Sequence, residues 1–163
     1  MKAFEPTVRS LATALRGAGL KLATAESCTG GLIAAACTAV AGSSDWFERG
    51  FVTYSNEAKS ELLGVDAALL AARGAVSGEV ARAMADGALA RSRADLAVAV
   101  TGIAGPSGAT EGKPVGTVWL AVARRGDATQ IERLQFGGDR ASIREQTVQH
   151  ALQRLVARAT SGR

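Results

Sequence analysis

The sequence predicts an α/β fold: a three-layer α/β/α sandwich around a mixed, mostly parallel five-stranded sheet, in one domain over residues 1–163. Three observations carry this. Segments with strand character alternate with helix-patterned ones through the first hundred residues, the pattern of a parallel sheet with helical crossovers. The run DLAVAVT at 95–101 is apolar at nearly every position, as a strand covered on both faces must be. Near the C-terminus, GTVWLAVA and TQIERLQF flank the turn RRGD and read as an antiparallel hairpin, which makes the sheet mixed.

The elements follow in order. Residues 6–17 place Val8, Leu11, Ala12 and Leu15 at helical spacing, with Pro6 at the start and Gly17 and Gly19 closing. LKLATA (20–25) is the first strand, and ESCTGG leads into an alanine-rich segment at 31–40 that reads as a buried helix. AGSSDWFERG reads as a loop and FVTYS (51–55) as a short strand. A helix is expected from Asn56 through EAKSELLG, a short one over 66–73, and another from an Ser77 N-cap to about Arg91. TGIAGPSGATEGKP is a glycine-rich loop after the central strand, and GGDR opens a last helix over about 140–158.

Composition narrows the function. At 163 residues with 47 % hydrophobic and 21 % charged side chains, the chain can bury a sizeable core. It contains no apolar stretch of about 20 residues, the length that spans a bilayer. The first residues carry Glu5 and Arg9 and lack a small-residue cleavage site, so they do not read as a signal peptide and a cytoplasmic location is expected. Cys28 and Cys37 at this spacing suggest neither a disulfide framework nor, with His150 as the single histidine, a metal site; no cofactor is expected. The net charge of +4 is spread over scattered arginines rather than a basic run, which favours a small anionic ligand over nucleic acid. Four of the 19 basic residues are lysines, leaving fifteen arginines. Arginine is the default cation here, and each lysine is a candidate for work that needs deprotonation.

In open α/β sheets, the loops leaving the carboxyl ends of strands gather into the ligand crevice. Those loops are ESCTGG, YSNEAK and TGIAGP. Ser27 lies between a strand and a helix, where N–H groups of Thr29, Gly30 and Gly31 are candidate oxyanion donors and the glycines would let substrate approach the backbone. A serine nucleophile needs a base. His150 lies among Gln149, Gln153 and Arg154 on what reads as a solvated helix face, which leaves Lys59, one turn into the helix after FVTYS. Tyr54, the single tyrosine, is placed to relay a proton or orient the serine. Cys28, beside Glu26, is the rival nucleophile. Thr101, Gly102 and Gly105 of TGIAGP are candidate phosphate contacts, with Lys113 or Arg140 supplying charge.

TAESCTGG, AGSSDWFERGFVTYSNEAK, GAVS, TGIAGP and KPVGTVWLAVA, in this order, resemble the CinA C-terminal domain family, from about residue 5 to 158. The resemblance implies the α/β/α fold with a mixed five-stranded sheet. Its stand-alone members imply hydrolysis of nicotinamide mononucleotide to nicotinate mononucleotide and ammonia in pyridine-nucleotide salvage. The family's catalytic serine falls on Ser27, its lysine on Lys59 and its tyrosine on Tyr54, and a homodimer is the expected assembly. The nucleotide-pyrophosphatase-like domain that many members carry has no counterpart in these residues, so its activity is not expected.

Two alternatives stand beside the serine amidase. One moves the nucleophile to Cys28. The other is a regulatory module of the competence or DNA-damage type that binds a pyridine nucleotide without turning it over.

Overall fold

The structure, a computed structural model, describes residues 1–162. A five-stranded sheet has the spatial order β2-β1-β3-β4-β5, with β1 at Leu22–Glu26, β2 at Phe47–Val52, β3 at Leu96–Gly102, β4 at Thr117–Arg124 and β5 at Gln130–Gln135. β1 pairs in parallel with both β2 and β3, whereas β3–β4 and β4–β5 are antiparallel. The helices are α1 (Glu5–Ala18), α2 (Leu32–Thr38), α3 (Asn56–Leu63), α4 (Ala67–Arg73), α5 (Gly78–Ala90) and α6 (Arg140–Thr160). None among the described residues is long and apolar enough to cross a membrane.

The central strand explains the layering. β3 alternates Leu96, Val98 and Val100 with Ala97 and Ala99, and successive side chains point to opposite faces. The large residues join Leu22, Leu120 and Val122 in a core with α1, α2 and α6. The alanines join Ala23, Ala25, Ala121 and Ala123 in a second core with α5. An alanine face lets a helix sit close. Gly87 of α5 is accordingly packed so tightly that a Cβ there would lie 2.1 Å from the Leu63 carbonyl oxygen.

Helix starts follow their caps. Ser55 accepts from the Ala58 N–H at 3.0 Å, Ser77 from Val80 at 3.3 Å and Asp139 from Ser142 at 2.9 Å. Three expectations need correction. The segment read as the loop AGSSDWFERG contains most of β2, which ends at Val52, so Tyr54 lies beyond the strand rather than in it. β2 is an edge strand with half its residues exposed, so its hydrophobic signal is weak. The first strand is displaced to Leu22–Glu26, and α2 is shorter and only partly buried, with Ala35 exposed.

Candidate active site

The order β2-β1-β3 puts the carboxyl ends of three parallel strands side by side, so the loops after β1, β2 and β3 meet over one edge of the sheet. They enclose a cleft of about 320 Å³ lined by Ser27, Cys28, Tyr54, Asn56, Lys59, Ala75, Val76, Thr101, Gly102, Ile103, Ala104, Gly105, Ser107, Gly108 and Arg140. Among these residues the permanent charges are cationic, from Arg140 and, when protonated, Lys59. The walls otherwise are small or apolar. Such a cleft favours an anion at one end and an uncharged group against the floor.

Lys59 is fixed by its helix. It shares the inward face of α3 with Leu63, one turn on, and is 1 % exposed. Its Nζ donates to the carbonyls of Thr53 (3.0 Å) and Tyr54 (3.1 Å) and lies 3.1 Å from Ser27 Oγ. Burial pushes the Lys59 pKa below that of a free lysine. A neutral amine has two N–H bonds and one lone pair. The ammonium donates to Ser27 Oγ as a third partner; in the neutral form, with both N–H bonds held by the two carbonyls, the lone pair would face the serine hydroxyl, the arrangement a lysine base requires.

Ser27 is 8 % exposed, and its N–H donates to the Val100 carbonyl at 3.0 Å, anchoring it where β1 leaves the sheet. The next residues form the turn that carries it into α2. Gly30 (φ 58°) and Gly31 (φ 104°) lie in the left-handed region that favours glycine. They do not line the cleft: a Cβ on Gly31 would face Val52, and one on Gly30 would face Arg144. The Gly30 N–H is spent on the Ser27 carbonyl at 3.1 Å.

The N-terminus of α2 is occupied as well. Glu26, wholly buried, accepts from the Ile33 N–H at 2.8 Å, the Ala34 N–H at 3.1 Å and Thr29 Oγ1 at 2.6 Å. The α2 donors and the Thr29 hydroxyl thus serve the protein's own carboxyl group. Thr29 is itself fully buried and does not line the cleft, so of the ESCTGG loop only Ser27 and Cys28 reach it. Glu26 shares the face of β1 that carries Leu22, and an acidic residue in a doubly covered strand signals a buried carboxyl in need of donors.

Cys28 touches the cleft but is 6 % exposed, and burial pushes its thiol up to about 12. At neutral pH it is a protonated thiol, a poor nucleophile. Tyr54 is 61 % exposed, and its hydroxyl accepts from Arg140 Nη2 at 3.1 Å rather than bonding Ser27. Its carbonyl is the group that meets Lys59. Arg140, the first residue of α6, also donates to the Gly105 carbonyl at 2.9 Å through Nη1, so it bridges the β2–α3 and β3–β4 loops at the mouth.

Of the two cations proposed for phosphate, Arg140 is in the cleft and Lys113 is not. Lys113 donates to the Arg73 carbonyl at 2.9 Å, in a separate depression with Glu79, Trp119 and Arg133. Thr101 and Gly102 line the floor, where Thr101 Oγ1 donates to the Ala75 carbonyl at 2.9 Å and fixes the GAVS segment. His150 is not on a solvated face but half-buried, with Nε2 at 3.2 Å from both Glu132 carboxyl oxygens and its ring edge-on to Phe136. Sequence reasoning did not single out Asn56, Ala75, Val76, Ser107 or Gly108. They carry no chemical signature and reach the cleft only through the topology.

Residues 5–159 match the CinA C-terminal domain. The chain is 54 % identical to the nicotinamide-nucleotide amidohydrolase PncC of Escherichia coli (strain K12) over 142 residues, 87 % of this chain and 86 % of that protein. It is 58 % identical to a CinA-like protein of Citrifermentans bemidjiense over 87 % of its own length, and there spans about a third (34 %) of the relative. Among solved structures, the competence/damage inducible protein CihA of Agrobacterium tumefaciens superposes with a TM-score of 0.92 at 50 % identity, covering 94 % of both chains.

Proposed function

The chain belongs to the CinA C-terminal domain family, and from that premise we propose that it hydrolyses the carboxamide of nicotinamide mononucleotide to nicotinate mononucleotide and ammonia. The observation that carries this reading is the contact between Lys59 Nζ and Ser27 Oγ, with the lysine buried and its pKa lowered. The identity with PncC of E. coli supports the substrate class.

In this reading neutral Lys59 takes the Ser27 proton as Oγ bonds to the carboxamide carbon. The carbonyl π electrons move to oxygen, and the oxyanion is held by main-chain N–H groups that face the cleft around Ser27. The Lys59 ammonium returns the proton to the leaving nitrogen, and the C–N bond breaks with its electron pair to release ammonia. Water then loses a proton to Lys59 and attacks the acyl-serine. The ester C–O bond breaks, Oγ recovers the proton, and the carboxylate product departs. Arg140 binds the phosphate at the mouth, assisted by Tyr54, and the neutral floor at Ala75, Val76 and Ile103 takes the pyridinium ring. No step needs a metal or cofactor.

The test is ammonia release from nicotinamide mononucleotide by the purified protein beside Ser27→Ala. Release by the wild type and none by the variant, which still binds substrate, is the expected result. Equal release by both proteins would remove Ser27 from the chemistry. Binding without release by the wild type would leave a regulatory module.

A further inference from the structure

Two polar side chains that line the cleft, Asn56 and Ser107, have no part in the reaction written above. The other hydroxyl and charged groups there are engaged within the protein. Ser27 meets Lys59, Tyr54 meets Arg140, Arg140 also holds the Gly105 carbonyl, and Thr101 donates to the Ala75 carbonyl. Among the described residues, the Asn56 amide and the Ser107 hydroxyl have no protein partner. Strand order sets these two on opposite sides of the nucleophile. Ser27 follows β1 in the middle, Asn56 opens α3 after β2, and Ser107 belongs to the loop after β3. Depth is set by α3. Asn56 precedes Lys59 by three positions, so the two share a helix face. Lys59 is 1 % exposed with its Nζ at Ser27, whereas Asn56 is exposed and also borders the groove between α3 and α4. Ser107 is exposed too, two residues past the Gly105 carbonyl that Arg140 holds. Both side chains therefore stand outward of buried Ser27, toward the rim where Tyr54 meets Arg140.

With the carboxamide carbon at Ser27 Oγ and the phosphate at Arg140, the part of nicotinamide mononucleotide between them is the ribose, whose free polar groups are two vicinal hydroxyls. We propose that Asn56 and Ser107 are the specificity residues for this sugar, each hydrogen-bonding one of its hydroxyls from its own side of the cleft. The proposal rests on the amidase reading. An asparagine amide offers both a donor and an acceptor, and a serine hydroxyl serves as either, so the pair matches a diol whose two hydroxyls each donate and accept. Neither side chain has a bond inside the protein to give up, so each exchanges water for the sugar. A sugar that lacks the matching hydroxyl leaves the group opposite it unpaired in the occupied cleft, and that lost bond is the source of discrimination.

Ammonia release by wild type, Asn56→Ala and Ser107→Ala is compared on nicotinamide mononucleotide and on its 2′-deoxy and 3′-deoxy analogues. Binding of the same three nucleotides to Ser27→Ala, alone and with each second substitution, is followed by calorimetry. Ser55, not Asn56, caps α3 through the Ala58 N–H, so the helix start survives Asn56→Ala. Wild type is expected to lose about 3- to 10-fold in kcat/KM on each deoxy analogue, the range of one neutral hydrogen bond. Asn56→Ala loses a similar factor on the parent nucleotide and nothing further on the analogue that lacks the hydroxyl it reads. Ser107→Ala behaves alike toward the other analogue, and the Kd values on Ser27→Ala repeat the pattern. A residue whose removal costs the same factor on all three nucleotides, as loosening of its loop or helix would, is struck from the assignment. So is one whose removal costs nothing on any of them. Wild type that discriminates neither deoxy analogue in turnover or binding overturns the proposal and leaves the amidase reading standing. Wild type that releases no ammonia, while Ser27→Ala still binds with the hydroxyl-dependent pattern, removes the amidase reading and supports the sugar contacts.

Discussion

Lys59 Nζ lies 3.1 Å from Ser27 Oγ although 32 residues separate them in sequence, and the lysine is 1 % exposed. Two main-chain carbonyls are its other partners. Carbonyl dipoles offset part of the cost of burying the amine, and with no carboxyl group bonded to Nζ the ammonium form is disfavoured.

Replacing Lys59 by Met is expected to lower kcat by at least about 100-fold, the contribution of a positioned base. Wild-type activity should rise with pH, with a midpoint below the ordinary lysine value of 10.5. The stability consequence has a definite sign. Between the lowered folded-state pKa and 10.5 the unfolded chain binds more protons, so folding stability contributed by this group rises with pH across that window. Denaturant melts of wild type and Lys59→Met at several pH values check it: the difference in stability between them should shift toward wild type as pH rises.

Cys28→Ala should keep kcat within about threefold of wild type, because a thiol pushed up to about 12 contributes almost no thiolate at neutral pH. Iodoacetamide should label the folded protein slowly at this residue, as mass spectrometry of the intact chain would show. Rapid labelling coupled to loss of activity would move the nucleophile to Cys28.

Arg140→Met should raise KM for nicotinamide mononucleotide by about 10-fold or more, the loss of a charge-assisted phosphate contact. It should leave the weaker turnover of the corresponding riboside nearly unchanged. Asp139 caps α6 through Ser142, so the helix start survives the substitution. Equal losses on nucleotide and riboside would place the phosphate elsewhere.

Glu132 accepts from Arg154 Nε at 2.7 Å and lies beside His150, and these partners hold its carboxyl down to about 2. Its stabilising contribution is complete above the ordinary value of 4.5 and is lost as pH falls from there toward 2. The group is about one-third exposed (32 %), so screening limits the effect to less than about 1 kcal/mol. Thermal melts of Glu132→Gln and wild type should differ at pH 6 and converge near pH 2.

The layer order was readable because β3 and the β4–β5 hairpin carry strong local patterns: a continuous apolar run, and two strands joined by a short turn. β2 was misplaced because an edge strand has little burial to impose alternation, and FERG has charges where a core strand would not. Ser27 was legible as a serine in a loop at the carboxyl end of a strand, and Lys59 as one of four lysines, one turn into the helix that follows the next strand. Arg140 and Lys113 were equivalent on local evidence, each a cation near a glycine-rich loop. Only the path of the chain separates them, since α6 returns to the mouth of the cleft and Lys113 turns toward Arg73.

By itself the sequence determined the periodicities that make the elements, the caps that start α3, α5 and α6, and the family to which the chain belongs. These are properties of contiguous residues, set by backbone sterics and by hydrogen bonds a few positions apart. The tertiary structure alone decided that Glu26 seals the head of α2, that Arg144 grips the Ser27 turn and that Lys59 meets Ser27. The Arg144 and Lys59 contacts join residues 32 to 116 positions apart, and the Glu26 contacts close a turn over three to eight positions, all in buried or part-buried surroundings. There a donor or acceptor must find its partner at the cost of a lost hydrogen bond, and chain topology, not local sequence, sets which partner is within reach.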